Sequence, residues 1–396
     1  MDSSAASIPF WLLRHFQQST EPVPFSRYMD WVLNDPEGGY YGSGSATIGP
    51  RGDFVTSPSL GQDFGEMLAL QLSTWLRSLA DQPGTLSIVE VGPGEADLSM
   101  ALVAALSQLC PELIDRLELV LVEANPGMRR RQEQKLAGVR DLRVRWSSWD
   151  DLLHHPLQGV MVAHELLDAL PVDRLIQKEG ALRLQTVRLT NEQTLQWDDM
   201  PLPASLAASI GMLCSQTGCA IPPEGSEEGW TSEWHSSLAT WMDQAATALP
   251  TGWLLVIDYA MEAARYYHPQ RSQGTLMTYH QQRAGADPLM DPGALDITAH
   301  LCLESLAMAA DQAGWTALET RKQGEALLAL GLAQRLHGLQ RLPPDRLPEA
   351  LQRREALLRL VDPAALGNFR WILLGQNVSA CFNAPDESGN PESRPG

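Results

Sequence analysis

The amino-acid sequence predicts an α/β fold built around a mostly parallel sheet. After residue 85, short and nearly continuous apolar runs alternate with helical segments, a pattern typical of strands that helices cover on both faces. The first strands recur at roughly 30 residues, which is the length of a β-α-β unit. The predicted strands are residues 87–91, 117–123, 142–146, 160–165 and 253–259.

The N-terminal part of the chain predicts two short helices followed by a long loop. Apolar residues recur at helical spacing over 7–31, with a break at a Glu-Pro-Val-Pro segment, which favours two helices. Residues 34–61 are too rich in glycine and proline for a regular element. Aromatic side chains inside such a loop indicate a ligand cover. Two helices, at 96–110 and 127–138, then connect the first three strands.

Two insertions interrupt the alternation of strands and helices. Residues 173–250 contain antiparallel strand patterns at 174–187 and 192–197, and a second insertion covers 261–296. The elements predicted after them are a helix at 297–314, a strand at 317–323, two helices within 325–360 and a closing strand at 369–374. Residues 384–396 have no apolar pattern, so we expect a mobile tail.

Composition excludes several classes of protein. The 396 residues include 29 basic and 48 acidic side chains, a net charge of -19, which disfavours a nucleic-acid partner. The acidic surface is an ordinary device for solubility and would also suit a basic protein segment. Five scattered cysteines favour neither disulfides nor a zinc site. With no membrane span or secretory leader in the pattern, we expect a cytoplasmic protein that does not insert into membranes.

A glycine turn after the first strand is the strongest local motif. In Ile88 to Leu98 an apolar strand ends in Gly92-Pro93-Gly94 and opens a helix, so that backbone approaches a ligand closely and free amides face it. Such a turn can also be purely structural. Glu123, at the end of the second strand, is a second indication, because its carboxylate can accept both ribose hydroxyls. The third glycine of the dinucleotide pattern is missing, which favours an adenosyl ligand without pyrophosphate.

Two acids follow the fourth strand, at the edge of the sheet where α/β proteins bind ligands. Glu165 and Asp168 lie one short turn apart in His-Glu-Leu-Leu-Asp and can converge on a cationic acceptor. The alternative is that they cap the following segment.

Several longer motifs accompany these residues. They are Asp-Pro-Glu-Gly-Gly-Tyr-Tyr at 35–41, Gly-Asp-Phe-Val-Thr-Ser-Pro at 52–58, Ile-Asp-Tyr at 257–259 and Asp-Ile-Thr-Ala-His at 296–300. With the glycine turn, they make the chain similar to the MidA-like family of S-adenosylmethionine-dependent methyltransferases, which includes the mitochondrial complex I assembly methyltransferase. The resemblance extends over roughly residues 22 to 376.

The resemblance implies a class I methyltransferase with a Rossmann-like seven-stranded sheet and a cofactor pocket closed by the loop at 52–58. For mitochondrial members it implies arginine methylation on a core subunit of respiratory complex I. The corresponding target of this chain would be a subunit of a complex I-like dehydrogenase. The implied domains are a helical and cofactor-loop segment at 1–80, a methyltransferase core at 81–172 and 251–376, an inserted substrate or partner region at 173–250 and the tail.

These arguments together define a predicted site for S-adenosyl-L-methionine and an acceptor. The predicted cofactor-binding residues are Gly52, Asp53, Ser57, Glu90, Gly92, Gly94, Glu123 and Ala163. The predicted catalytic residues are Glu165, Asp168 and His300, of which the histidine is a candidate base, a substrate-orienting group or a structural hydrogen-bonding residue. In-line methyl transfer requires positioning and exclusion of water and no metal.

Two positions depart from the family pattern. Ala96 replaces the last glycine of the turn, and we expect its methyl group to weaken cofactor binding. His164 replaces the asparagine that usually precedes Glu165, which puts a titratable ring beside the acceptor. A non-catalytic assembly factor on the same fold is therefore the alternative. A small-molecule or nucleic-acid methyltransferase is a third hypothesis, which the charge disfavours for nucleic acid. An apolar stripe over 326–339 is core or an interface and not a cofactor site. A homodimer is a separate expectation.

Overall fold

A computed structural model describes residues 8–44, 46, 49, 52, 55–280 and 283–382. The strands are β1 (Val23–Pro24), β2 (Leu86–Val91), β3 (Leu117–Val122), β4 (Arg143–Ser147), β5 (Gln158–His164), β6 (Asp173–Lys178), β7 (Ala181–Leu189), β8 (Leu195–Pro201), β9 (Thr231–Trp234), β10 (Thr251–Asp258), β11 (Ala260–Met261), β12 (Met277–His280), β13 (Arg283–Gly285), β14 (Asp296–Thr298), β15 (Leu301–Cys302), β16 (Thr316–Lys322) and β17 (Arg370–Gln376). The helices are α1 (Phe10–Gln18), α2 (Phe25–Asn34), α3 (Gln62–Ser78), α4 (Asp97–Leu109), α5 (Pro126–Leu136), α6 (Trp149–His154), α7 (Ala204–Thr217), α8 (Ser237–Ala248), α9 (Ala263–Tyr266), α10 (Leu303–Gln312), α11 (Gln323–Ala329), α12 (Leu332–Leu339) and α13 (Leu347–Val361).

A seven-stranded sheet forms the centre of the molecule, in the order β16-β17-β10-β5-β2-β3-β4. The five strands from β10 to β4 are mutually parallel, whereas β17 runs antiparallel to both of its neighbours. Side chains of β2 alternate between two apolar clusters, with Ile88 on one face and Val89 and Val91 on the other. Each such fully buried side chain contributes about 1.5–3 kcal/mol. The predicted seven-stranded α/β fold is confirmed.

A second, antiparallel sheet combines the first insertion with the start of the chain. Its order is β1-β7-β6-β9, and β8 pairs with β7. The antiparallel strands predicted at 174–187 and 192–197 form as β6, β7 and β8. Glu179 and Gly180, with φ values of 54° and 71°, turn the chain into a hairpin between β6 and β7. Two successive residues with positive φ are what a tight two-residue hairpin requires. The domain bounds at residues 80, 172, 250 and 376 stay predictions.

The C-terminal part differs from the prediction in two places. The helix predicted from 297 begins only at Leu303, because Asp296–Thr298 pairs with β12 and Leu301 pairs with β11. Two helices were predicted within 325–360, but α11, α12 and α13 form, since Gly331 has a φ of 91° and breaks the first. The apolar stripe over 326–339 lies in the core. Among the helices in the described ranges, none has the length and apolarity to cross a membrane.

Candidate active site

The parallel strands bring the predicted site residues to one edge of the central sheet. In the register of the strands, Val91 lies opposite Val122 and Ala163, and Ile257 lies opposite His164. The residues that follow β2, β3, β5 and β10 therefore emerge side by side at the carboxyl edge, where α/β proteins bind ligands.

The glycine turn has a backbone that most residues could not adopt. Gly92 and Gly94 have φ values of 65° and 52°. A Cβ atom on Gly92 would lie 2.6 Å from the Cδ1 atom of Leu166, so any other residue there would have to displace that side chain. Ala96 also has a positive φ, of 58°, and its methyl group is fully buried in the main apolar cluster. The backbone conformation at this position favours glycine. The methyl group of Ala96 packs with the apolar side chains of the core.

Glu123 is joined to the glycine turn by one buried glutamine. The amide nitrogen of Gln132 donates to Glu123 Oε2 over 2.8 Å and to the carbonyl oxygen of Gly94 over 2.9 Å. The other carboxylate oxygen accepts from the backbone N–H of Asn125 over 2.8 Å. Burial raises the pKa of Glu123. Each oxygen keeps a lone pair for a hydroxyl donor, so the acid and the turn fit the ribose and the methionine ends of S-adenosylmethionine.

The long loop lies over this end of the site. Asn125, which caps α5, donates to the backbone oxygens of Tyr41 and Gly42. Arg131 donates to the oxygens of Gly44 and Ala46 and lies 3.2 Å from Glu95 in the glycine turn. The backbone of the loop is thus anchored to the end of the sheet that carries Glu123 and the glycine turn.

Of the predicted loop residues, two lie in the described part of the chain. The backbone N–H of Gly52 donates to the oxygen of Gly49 over 2.8 Å, which forms a turn. Ser57 is buried, and its backbone N–H donates to Glu165 Oε1 over 3.1 Å. Asp53 lies outside the described residues.

Four carboxylates converge beside the glycine turn. They are Glu165, Asp168, Asp258 and Asp296. Burial raises the pKa of Glu165 well above its ordinary value, and the charges of Asp258 and Asp296 raise it further. Asp168 is affected in the same way by burial and by the charges of the other three. Removing four acids from water costs free energy that a bound cation would offset.

Asp258 holds the short turn that carries the two predicted catalytic acids. Its Oδ2 atom accepts the backbone N–H groups of Leu167 and Asp168 over 3.0 and 3.2 Å. Burial raises the pKa of Asp258 to about 7. The alternative reading of Glu165 and Asp168 as caps of this segment is therefore wrong, since the capping acid comes from the end of β10.

His164 contacts Glu165 without adding a charge. Its Nε2 atom lies 3.4 Å from Glu165 Oε1, and its ring packs edge-on against Phe64 with centroids 5.2 Å apart. Burial lowers the pKa of His164 to about 3, so the ring is neutral at physiological pH.

His300 reaches the carboxylates through an aromatic neighbour. Its ring stacks on Tyr259 with centroids 5.2 Å apart and an angle of 9°. Burial lowers the pKa of His300 to about 4, and its backbone N–H donates to Thr275 Oγ1 over 3.1 Å. Tyr259 lies close to the acidic cluster. Burial raises the pKa of its hydroxyl, and the charge of Glu165 raises that pKa further. The histidine side chain thus forms the layer behind Tyr259.

Two residues of the predicted cofactor set point into the protein. The Glu90 carboxylate is buried and accepts from the hydroxyl of Ser99 on α4, and burial raises its pKa to about 8. The Ala163 side chain packs in the apolar cluster on one face of the sheet. The structure does not bring either side chain to the acidic cluster.

Sequence reasoning missed Asp258, Asp296 and Tyr41 as site residues. The hydroxyl of Tyr41 donates to Asp296 Oδ1 over 2.8 Å, which links the loop to the acids. Asp258 ends a buried parallel strand, and that position could have identified it. In the ranges that the structure describes, no group of three or more His, Cys, Asp and Glu side chains is arranged to hold a metal ion.

Known proteins resemble this chain over most of its length. A family model of S-adenosyl-L-methionine-dependent methyltransferases matches residues 67–320. The mitochondrial protein arginine methyltransferase NDUFAF7 homolog of Drosophila melanogaster is 25% identical over 388 residues, covering 91% of this chain and 83% of that protein. Its Caenorhabditis elegans counterpart is 27% identical over 349 residues, covering 82% and 76%. A Burkholderia thailandensis protein solved with S-adenosyl-homocysteine bound has a TM-score of 0.82 and 30% identity, covering 94% of this chain and 92% of that one.

Proposed function

The chain belongs to the MidA-like family of S-adenosyl-L-methionine-dependent methyltransferases, and from that premise we propose that it methylates an arginine side chain of a protein. The observation that carries the proposal is the cluster of four carboxylates beside the glycine turn. A guanidinium stays protonated under all ordinary conditions and presents five donors in a plane. It is therefore the acceptor that suits buried acids with raised pKa values.

The acids can both hold the acceptor and take its proton. Glu165 and Asp168 pair with the guanidinium and fix which nitrogen faces the methyl donor, because planar bidentate pairing sets the orientation. The cofactor supplies an electrophilic methyl group when it is bound. The nitrogen gains that methyl group and loses a proton, and a carboxylate with a pKa raised toward neutrality is suited to accept it. Tyr259 and the loop at Tyr41 exclude water from the acids.

We further propose that the target is a subunit of a complex I-like dehydrogenase in the cytoplasm. Relatives in Drosophila and Caenorhabditis carry the name of a mitochondrial protein arginine methyltransferase, which supports an arginine acceptor. The acidic character of the chain, at a net charge of -19, suits a basic segment of a partner protein.

Two measurements test the proposal in sequence. Calorimetric titration with S-adenosylmethionine is expected to show binding, and no binding at millimolar concentration would leave a non-catalytic assembly factor. Mass spectrometry of the dehydrogenase subunits, from cells with and without this gene, is then expected to find a methylated arginine that depends on the gene. An unchanged methylation pattern would refute the target.

A further inference from the structure

A cleft with two arginines in its lining lies close to His300, because its last lining residue, Gly274, precedes the threonine that accepts the His300 backbone N–H. The cleft encloses about 630 Å³ and is lined by Arg265, His268 and residues 270–274. Its two arginines give this cleft a positive charge in a chain whose net charge is -19.

The two arginines of the cleft are available to a ligand. Arg271 donates through Nε to the backbone oxygen of Arg265 over 3.4 Å. Neither guanidinium forms an ion pair with a carboxylate in the part of the chain that the structure describes. A guanidinium presents five donors, so most of the donors of both side chains are open to an incoming anion.

The cleft is held rigidly next to the site. Thr275 follows the lining residues, and its backbone N–H and hydroxyl both donate to the buried carboxylate of Glu233, over 2.7 and 3.0 Å. The same hydroxyl oxygen accepts the backbone N–H of His300. One threonine therefore connects the rim of the cleft to the residue that stacks on Tyr259.

A chain of contacts connects the cleft to the acidic cluster: His300 bonds to Thr275 at the rim, its ring stacks on Tyr259, and the Tyr259 backbone N–H donates to Asp258 Oδ1 over 2.8 Å. Arg271 and Arg265 are near enough for their charges to lower the pKa of His300, in addition to the effect of burial. On the other side of that ring, Tyr259 is near enough to Glu165 for the acid to raise its pKa. An extended peptide spans about 3.3–3.6 Å per residue, so a side chain four positions from an arginine on the acids reaches about 13–14 Å from it.

We propose that this cleft binds the carboxylate of an acidic residue close in sequence to the arginine that is methylated. The inference rests on the proposed function and adds a substrate preference to it. The acidic cluster would bind the arginine of the substrate, and Arg265 and Arg271 would bind its acidic residue. Opposite charges at two fixed points also set the direction in which the peptide lies.

The test compares peptides that differ in a single charge. Each peptide carries one central arginine in a glycine and serine background, with glutamate or glutamine at one of four positions on either side. For at least one position, the glutamate peptide is expected to show a KM about five-fold lower at equal kcat, since two half-exposed ion pairs contribute about 1 kcal/mol. Equal KM values for all pairs would overturn the proposal.

Variants assign the preference to the cleft. The double change Arg265→Gln and Arg271→Gln is expected to abolish it without altering kcat. The double change Arg354→Gln and Arg359→Gln, in a second cleft of about 610 Å³ along α13, removes the same two charges elsewhere and is expected to retain the preference. Arg265→Gln combined with Arg271→Glu makes the cleft negative and is expected to favour a further peptide that carries lysine at the preferred position. Retention of the glutamate preference by the double glutamine variant of Arg265 and Arg271 would contradict the assignment.

A binding measurement separates this inference from the proposed function. Fluorescence anisotropy of the labelled peptides, with S-adenosylhomocysteine present, reports binding without turnover. Glutamate-dependent binding that the double variant loses supports the cleft even if no peptide is methylated, and absence of methylation then counts against the proposed function alone. Equal binding of paired peptides counts against the cleft alone when both are methylated.

Discussion

Glu165 stands in a backbone conformation that side chains rarely adopt. Its φ of 49° lies in the left-handed region, where a residue other than glycine stores about 1–3 kcal/mol of strain. The strain is maintained by the pairing of β5 between two neighbours and by the hydrogen bond from Ser57. The conformation turns the carboxylate out of the strand direction and toward the acidic cluster.

Glu165→Gln tests whether the charge of this residue holds the acceptor. The amide keeps the size and the oxygen that accepts from Ser57, but it loses the charge that pairs with a guanidinium. We expect kcat/KM for the arginine substrate to fall about 100-fold, since truncating a buried charged pair costs about 2–5 kcal/mol. Affinity for S-adenosylhomocysteine is expected to stay within about two-fold of the original, as titration would show. Unchanged turnover would reject the role.

Ala96→Gly tests whether the alanine impairs the cofactor site. Glycine relieves a left-handed conformation that costs an L-residue about 1–2 kcal/mol. The change also removes a buried methyl group, which contributes about 0.8 kcal/mol, and loosens the unfolded chain by about 0.4–1 kcal/mol. These effects nearly cancel, so denaturant unfolding is expected to show a change below about 1 kcal/mol.

The affinity of the same variant distinguishes a core methyl group from one in the pocket. Because the methyl group of Ala96 packs in the main apolar cluster, we expect the Kd for S-adenosylhomocysteine to change by less than about two-fold. A ten-fold tighter complex would show instead that the alanine obstructs the cofactor.

Among the elements, the loop before α3 contacts the acidic cluster through one backbone hydrogen bond. The backbone N–H of Ser57 donates to Glu165 Oε1, while its hydroxyl lies 3.4 Å from Gln323 Oε1. The loop therefore reaches the acidic cluster through its main chain. A sequence motif records the side chains of such a loop and leaves the direction of its N–H groups undetermined.

Ser57→Pro tests this contact against Ser57→Ala as a matched control. The φ of Ser57 is -54°, which proline can adopt, so the substitution removes mainly the N–H group. Both variants lose the hydroxyl, and only proline loses the donor to Glu165. We expect kcat/KM to be about ten-fold lower for the proline variant than for the alanine variant, since a hydrogen bond to a charged group contributes about 1.5–3 kcal/mol. Equal kinetics in the two variants would refute the contact.

At the scale of the whole molecule, the acidic cluster opposes the stability of the fold. Burial raises the pKa of Asp258 from 3.8 to about 7 and raises that of Asp168 well above its ordinary value. At pH values between the ordinary pKa of 3.8 and the raised pKa of about 7, Asp258 therefore binds more protons in the folded protein than in the unfolded chain. Stability must then fall as pH rises from about 4 to about 7 on account of these groups.

Asp168→Asn tests this cost through its dependence on pH. The amide removes one buried charge. The melting temperature of the variant is therefore expected to exceed that of the original protein by more at pH 8 than at pH 5. The gain in the ligand-free protein should be a few degrees, at roughly 2–4 °C per kcal/mol for a large domain. Acids with lowered pKa values, such as Asp63 beside Arg335 and Arg353, make stability rise with pH. This contribution is the same in the original protein and in the variant, so it cancels in the comparison. A gain that is equal at both pH values would contradict the argument.

The sequence by itself determined the central sheet and one half of the site. Continuous apolar runs predict buried parallel strands, and the carboxyl ends of parallel strands must meet at one edge. The glycine turn, Glu123 and Glu165 follow from those two facts. The positions of turns were harder to predict from the sequence, as the hairpin at Glu179 and the strand at Asp296 show.

The tertiary structure alone decided which distant residues complete the site. Asp258, Asp296 and Tyr41 come from separate parts of the chain, and their approach depends on strand register and on the path of a loop. The pKa values depend on burial and on neighbouring charges, which no local pattern contains. The conformation of Ala96 likewise follows from how the turn packs on the core. A sequence records the order of residues, whereas the chemistry of this site arises from their distances in space.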